Sequence, residues 1–125
     1  MQYGEIVNQV NNDLGLDDRA RADAIVVNTL ELLGQRVAGN EPAKLAAQLP
    51  QELKESLTRH AGAAETFDVD EFLRRLAQRE GQGVDPEQAR RHAQSVFATL
   101  GSFVSQGELD DVRSQLPAGY APLFA

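Results

Sequence analysis

Leu45-Ala46-Ala47-Gln48-Leu49-Pro50-Gln51-Glu52-Leu53 contains a Gln-Leu-Pro that returns as Gln115-Leu116-Pro117. A helix-like stretch precedes each copy in the same register. When Ala22–Leu57 is laid over Ala89–Phe124, roughly eight of about 36 positions are identical. They are Ala22/Ala89, Leu33/Leu100, Gly34/Gly101, Val37/Val104, Glu41/Glu108 and the three motif residues. Apolar character also persists at Leu30/Phe97, Leu45/Val112, Leu53/Tyr120 and Leu57/Phe124. One supersecondary unit used twice is the economical reading: unit one over residues 1–62 and unit two over 63–125.

Working outward, the periodicity is helical throughout. Tyr3, Val7, Val10 and Leu14 step by four, three and four, which puts them on one helix face, and Gly15 follows as a left-handed C-cap. The longest helix is expected from Asp18 to Ala38. Val26, Leu30, Leu33 and Val37 make its stripe, and Ile25 and Leu32 widen it enough for a central position. In the second unit, Phe67-Asp68-Val69-Asp70-Glu71-Phe72 reads as a helix start. Asp68 is its N-cap, Glu71 closes a capping box, and Phe67 staples onto Phe72. Asp85-Pro86-Glu87-Gln88 opens the next helix, on which Ala93, Phe97, Leu100 and Val104 reproduce the earlier stripe. Short helices over about 41–47 and 108–114 lead to the two prolines. No segment alternates apolar and polar residues as a half-buried strand does. The expected fold is all-α: one compact domain spanning 1–125, with seven or eight helices and its two imperfect repeats related by a pseudo-two-fold axis.

Composition narrows the function classes. The 125 residues are 42% hydrophobic and 25% charged, an ordinary globular balance. The absence of cysteine removes disulfides, thiolate catalysis and cysteine-based zinc sites. Met1-Gln2-Tyr3-Gly4-Glu5 carries no basic leader, and no apolar run reaches the length of a membrane span, so the expected location is cytoplasmic. The preference for Arg over Lys and the richness in Ala fit a bacterial source. A net charge of −7 argues against nucleic acid, whose binding needs a basic face. Arg74, Arg75, Arg79, Arg90 and Arg91 alternate with Glu71, Glu80, Asp85 and Glu87, as on a solvated helix surface laced with ion pairs.

The motifs that carry chemistry are sparse. In Gln-Leu-Pro the proline disfavours a helical Leu49 or Leu116, while Pro50 and Pro117 suit a first helical position. Leucine offers no capping oxygen, so Gln48 and Gln115 are expected to satisfy free backbone groups at their corners; the rival reading makes each an exposed ligand contact. Gln48, Leu49, Pro50, Gln115, Leu116 and Pro117 are thus the candidate motif residues, with a structural role foremost. Asp68, Asp70 and Glu71 have the spacing of hard-cation ligands, but Leu73 occupies the place where a calcium loop needs glycine. Asp17-Asp18 and Asp110-Asp111 lie near helix starts, where negative charge is favoured. His60 and His92 have no serine elbow, HExxH or phosphate loop beside them and read as solvated or locally hydrogen-bonded. No catalytic, cofactor-binding or metal-binding set is expected, and no cofactor.

The string Leu32-Leu33-Gly34-Gln35-Arg36-Val37-Ala38-Gly39-Asn40-Glu41, with Leu45–Leu53, resembles the bacterial family known as domain of unknown function 2267. Phe72-Leu73-Arg74-Arg75-Leu76 and Val112–Tyr120 resemble that family's second half. The resemblance covers nearly the whole chain and implies an all-helical soluble bacterial protein; it brings no activity and no site residues. The second copy has Arg113-Ser114 in place of Ala46-Ala47, so a surface made by those alanines need not exist twice. The function expected from all this is a non-catalytic interaction or adaptor module that binds a partner protein or itself. The alternative is a small-molecule binder or carboxylate-dependent hydrolase using a cleft between the repeats.

Overall fold

The structure is a computed structural model that describes residues 2–37, 39–59 and 65–124. Its elements are α1 (Gln2–Leu14), α2 (Arg19–Arg36), α3 (Glu41–Ala46), α4 (Gln51–Thr58), α5 (Val69–Glu80), α6 (Pro86–Leu100), α7 (Gln106–Ser114) and a 3-10 helix over Ala118–Phe124. No strand occurs among the described residues, and the fold is all-α. His60 and the expected boundary between residues 62 and 63 lie outside the described residues.

The helix ends follow their local chemistry. Gly15 takes φ 61, and the Leu16 N–H reaches back to the Asn11 carbonyl at 3.1 Å, closing α1. Asp18 caps α2 by accepting from the Arg21 N–H at 3.1 Å, while its own N–H donates to Asn11 Oδ1 at 3.0 Å. Asp68 caps α5 through the Glu71 N–H at 2.9 Å, and the Phe67 and Phe72 rings meet at 6.4 Å between centroids. The expected capping box is only half made there. The Glu71 carboxylate turns instead to Arg74 and to Arg75 Nε, because charged donors attract it more strongly than one neutral N–H. Asp85 and Gln88 complete their box, with bonds of 2.8 and 3.0 Å, since a neutral amide has no ion pair to draw it away.

The core forms around α2 and α6, which touch each other. Val26, Leu30 and Leu33 of α2 and Ala93, Phe97 and Leu100 of α6 are buried, as are Val37 and Val104 just beyond the helix ends. Helix α1 packs on α2 and α6, and α5 packs on α6 and α2. Helix α4 lies against α2 and α3, while the 3-10 helix lies against α6 and α7. Helices α3 and α7 meet each other. Gly34 makes the α2–α4 contact possible: a Cβ there would stand 2.2 Å from the Leu57 carbonyl oxygen.

The two Gln-Leu-Pro corners share their backbone bonding. The Gln48 N–H bonds to the Leu45 carbonyl, Leu49 to Ala46 and Leu53 to Pro50. In the second copy, Gln115 bonds to Val112, Leu116 to Arg113 and Tyr120 to Pro117. Pro50 stands at the N-cap of α4, with φ −59 and ψ 153, and not at the first helical position expected for it, which Gln51 takes. After Pro117 the chain winds into the 3-10 helix rather than an α-helix.

Candidate functional site

Gln48 satisfies a free backbone group, though of a different corner. Its Oε1 accepts from the N–H of Ser105 at 2.7 Å, and Ser105 is the residue that caps α7. The amide therefore links the end of α3 to the start of α7. Gln115 is likewise engaged. Leu49 is buried, Pro50 and Leu116 are half-buried, and Pro117 is exposed. Leu116 and Pro117 line a groove of about 410 Å³ between α7 and the 3-10 helix, together with Arg113, Ala121 and Phe124.

The meeting of α3 and α7 gathers charge where water hardly enters. Glu41 opens α3 and is 4% exposed; Glu108, in the first turn of α7, is 7% exposed. One turn further along, Lys44 and Asp111 face each other, with the ammonium 3.2 Å from Asp111 Oδ2 and 3.6 Å from Glu41 Oε2. Glu41 Oε1 and Glu108 Oε2 are buried and accept no hydrogen bond. Burial pushes the Glu41 carboxyl up to about 7, helped by its hydrogen bond with Glu108 and by that neighbour's charge, while Lys44 opposes the rise. Two carboxyl groups hydrogen-bond to each other only when one is protonated, and Glu41, raised by its surroundings, is the one that takes up a proton more readily. One carboxylate oxygen from each of Glu41, Glu108 and Asp111 lies within 4.8 Å of the others. Such a seam can hold a proton or a hard cation.

Sequence reasoning saw Glu41 and Glu108 as a repeat identity and Asp111 as a helix-start acid, and did not bring the three together. The signal was available. Among the repeat identities only this pair is charged, and Glu41 is flanked on its face by buried Pro42 and Leu45.

The other sequence candidates stay apart from the seam. Asp68 is an N-cap, and Glu71 is held by two arginines. Arg75 also reaches Glu65, Arg79 pairs with Glu31 at 2.9 Å, and Arg90 with Glu87. Asp17 sits at φ 49 before the capping Asp18. His92 is hydrogen-bonded as expected but buried instead of solvated: its Nδ1 meets Glu80 Oε1 at 2.7 Å, tying α6 to the end of α5. No hydroxyl among the described residues is hydrogen-bonded to it, so the pair lacks the nucleophile of a hydrolytic triad.

The family model described as "Uncharacterized conserved protein (DUF2267)" matches residues 3–123, and the chain belongs to that family. A search of curated proteins finds no match to the chain. Among the described residues, no helix is long and apolar enough to cross a membrane.

Proposed function

We propose that this member of the DUF2267 family is a non-catalytic helical interaction module that docks a partner protein along the edge formed by α7 and the 3-10 helix. One observation carries the reading. Leu116–Phe124 is a stretch of nine residues without a charged side chain in a chain of net charge −7, and Pro117, Ala118, Gly119, Ala121 and Pro122 are exposed. The adjoining groove of about 410 Å³ is large enough for an apolar side chain, and Asp110, Arg113 and Ser114 add polar groups to its lining. Tyr120 and Leu123 anchor the stretch in the core, and Phe124 stacks on Phe97 at 4.6 Å, so the edge is held rigid before a partner arrives. A pre-formed groove that sets apolar side chains beside polar groups has the anatomy of a docking site.

The hydrolase alternative finds less support. Its carboxylates would be Glu41 and Glu108, and burial to 4% and 7% exposure leaves no room there for a substrate. Duplication of a single unit remains our reading of the scaffold, with cytoplasmic bacterial action as its setting. A photo-crosslinking side chain at exposed Ala121 should capture a protein in the native host, and the same group at exposed Asn12 on α1 should not. Loss of the adduct on Phe124→Asp, in a chain that still unfolds cooperatively, would support the groove. Equal capture from both positions, or none from Ala121, would refute it.

A further inference from the structure

We propose that the seam between α3 and α7 is a binding site for a hard divalent cation, calcium above all, with Glu41, Glu108 and Asp111 as its ligands. The geometry comes first. Three oxygens that all lie within 4.8 Å of one another have a common centre no more than about 2.8 Å from each, against about 2.3–2.6 Å for calcium–oxygen bonds and about 2.0–2.1 Å for magnesium. A contraction of a few tenths of an ångström suffices for calcium, while magnesium demands more. The set is all oxygen, which selects hard cations over zinc or copper.

The second observation is independent of the clustering. Glu108 is only 7% exposed, makes no ion pair with any described residue, and has a buried oxygen that receives no hydrogen bond. A buried carboxylate oxygen left without a donor is costly, and such groups are paired or coordinate metals. Among the described residues, Lys44 is the one cation paired with the cluster. It touches Asp111 and Glu41, lies 51% exposed, and leaves three carboxylates facing one ammonium. Its flexible stem lets it swing into water and make way for a doubly charged ion.

Lys44 is then a competitor, and this makes the proposal specific. In metal-free protein at about pH 8, titration calorimetry with CaCl₂ should show one saturable site per chain with a Kd on the order of 0.1–1 mM, and weaker MgCl₂ binding. Glu108→Gln and Asp111→Asn should each weaken calcium at least about tenfold, while Asp110→Asn on the exposed face should leave it unchanged. Lys44→Gln should tighten it about fivefold or more by removing the competing charge. Glu108→Gln keeps the shape and a hydrogen bond to Glu41, and Asp111→Asn is a surface change, so at least one variant folds. No heat at millimolar calcium, equal affinity in Asp111→Asn and wild type, or equal loss from Asp110→Asn would overturn the site. The seam would then hold a shared proton only.

Discussion

Gly34→Ala should destabilise the fold far more than Gly101→Ala, although the two glycines occupy equivalent places in the repeated sequence. A Cβ at Gly34 would lie 2.2 Å from the Leu57 carbonyl oxygen, 3.0 Å from its carbon and 3.3 Å from its Cα. Ordinary contact needs roughly 1 Å more than the shortest of these. The obstacle is backbone within α4, so it cannot turn aside as a side chain would. Relief requires α4 to move off α2, loosening Leu53 and Leu57, both buried without exposure. Overpacking of this kind costs about 1–3 kcal/mol, occasionally more, and the disturbed leucines add to it. Alanine's better helix propensity returns about 1 kcal/mol. With the loosened leucines offsetting that gain, the net loss should be about 1–3 kcal/mol.

At Gly101, by contrast, a Cβ meets the Ala98 carbonyl of its own turn at 3.1 Å and the end of the Leu109 side chain at 3.9 Å, with φ at −59. That substitution should stay within about 1 kcal/mol of neutral. Urea unfolding followed by circular dichroism gives both free energies and a check on the slope. Equal effects, or a Gly34→Ala loss below about 0.5 kcal/mol, would refute the close approach of α2 and α4 as the reason for glycine.

The seam predicts a pH dependence, measured in EDTA. Glu41 is raised in the folded state to about 7 from 4.5, so the folded chain binds the proton more tightly; the associated stability is full below about pH 4.5 and is lost as pH rises to about 7, by about 3 kcal/mol at most. Unfolding of wild type and Glu41→Gln at about pH 5 and about pH 8 isolates this slope, and parallel pH profiles would count against a shared proton. Gln48→Ala should cost only about 0.5–1 kcal/mol, because the Ser105 N–H it releases is exposed and water replaces the amide; a loss of several kcal/mol in thermal unfolding would mean the corner does more than cap α7.

Much of the fold was legible because it is written in local chemistry. Asp18, Asp68 and Asp85 mark helix starts through bonds to an N–H three residues on, and a sequence displays such short-range relations directly. The core stripes were legible for the same reason: a four-three-four step leaves little choice of buried face. What escaped was decided by partners far along the chain. Gln48 bonds to a residue 57 positions away. Glu71 escaped for a different reason: two local choices, the N-cap N–H and the arginines three and four residues on, competed for its carboxylate. The edge formed by α7 and the 3-10 helix escaped because its apolar residues look like core in a linear reading, whereas Pro117, Ala118 and Ala121 are exposed at and within the 3-10 turn.

On our reading of the chain as a duplicated unit, the α3–α7 seam is where equivalent positions meet. Lys44 and Asp111 stand 67 residues apart, the same offset that relates Glu41 to Glu108. On that reading a residue kept the same in both units faces its own likeness there, so an acid faces an acid. At Lys44 and Asp111 the two copies differ, and the difference turns repulsion into an ion pair of 3.2 Å. At Glu41 and Glu108 they remain the same, despite burial and two oxygens without donors. Stability alone favours a change at one of them, since an amide opposite a carboxylate would complete the bond without a proton. An identical pair is understandable if the seam works with something supplied from outside the chain, a proton at the least and on our reading a calcium ion. The Glu41→Gln and Glu108→Gln chains should therefore be more stable than wild type at alkaline pH in EDTA, and Glu108→Gln should lose that advantage when calcium is added. A seam that is weakened by either substitution under both conditions would owe its paired acids to packing, and the argument from self-facing charge would fail.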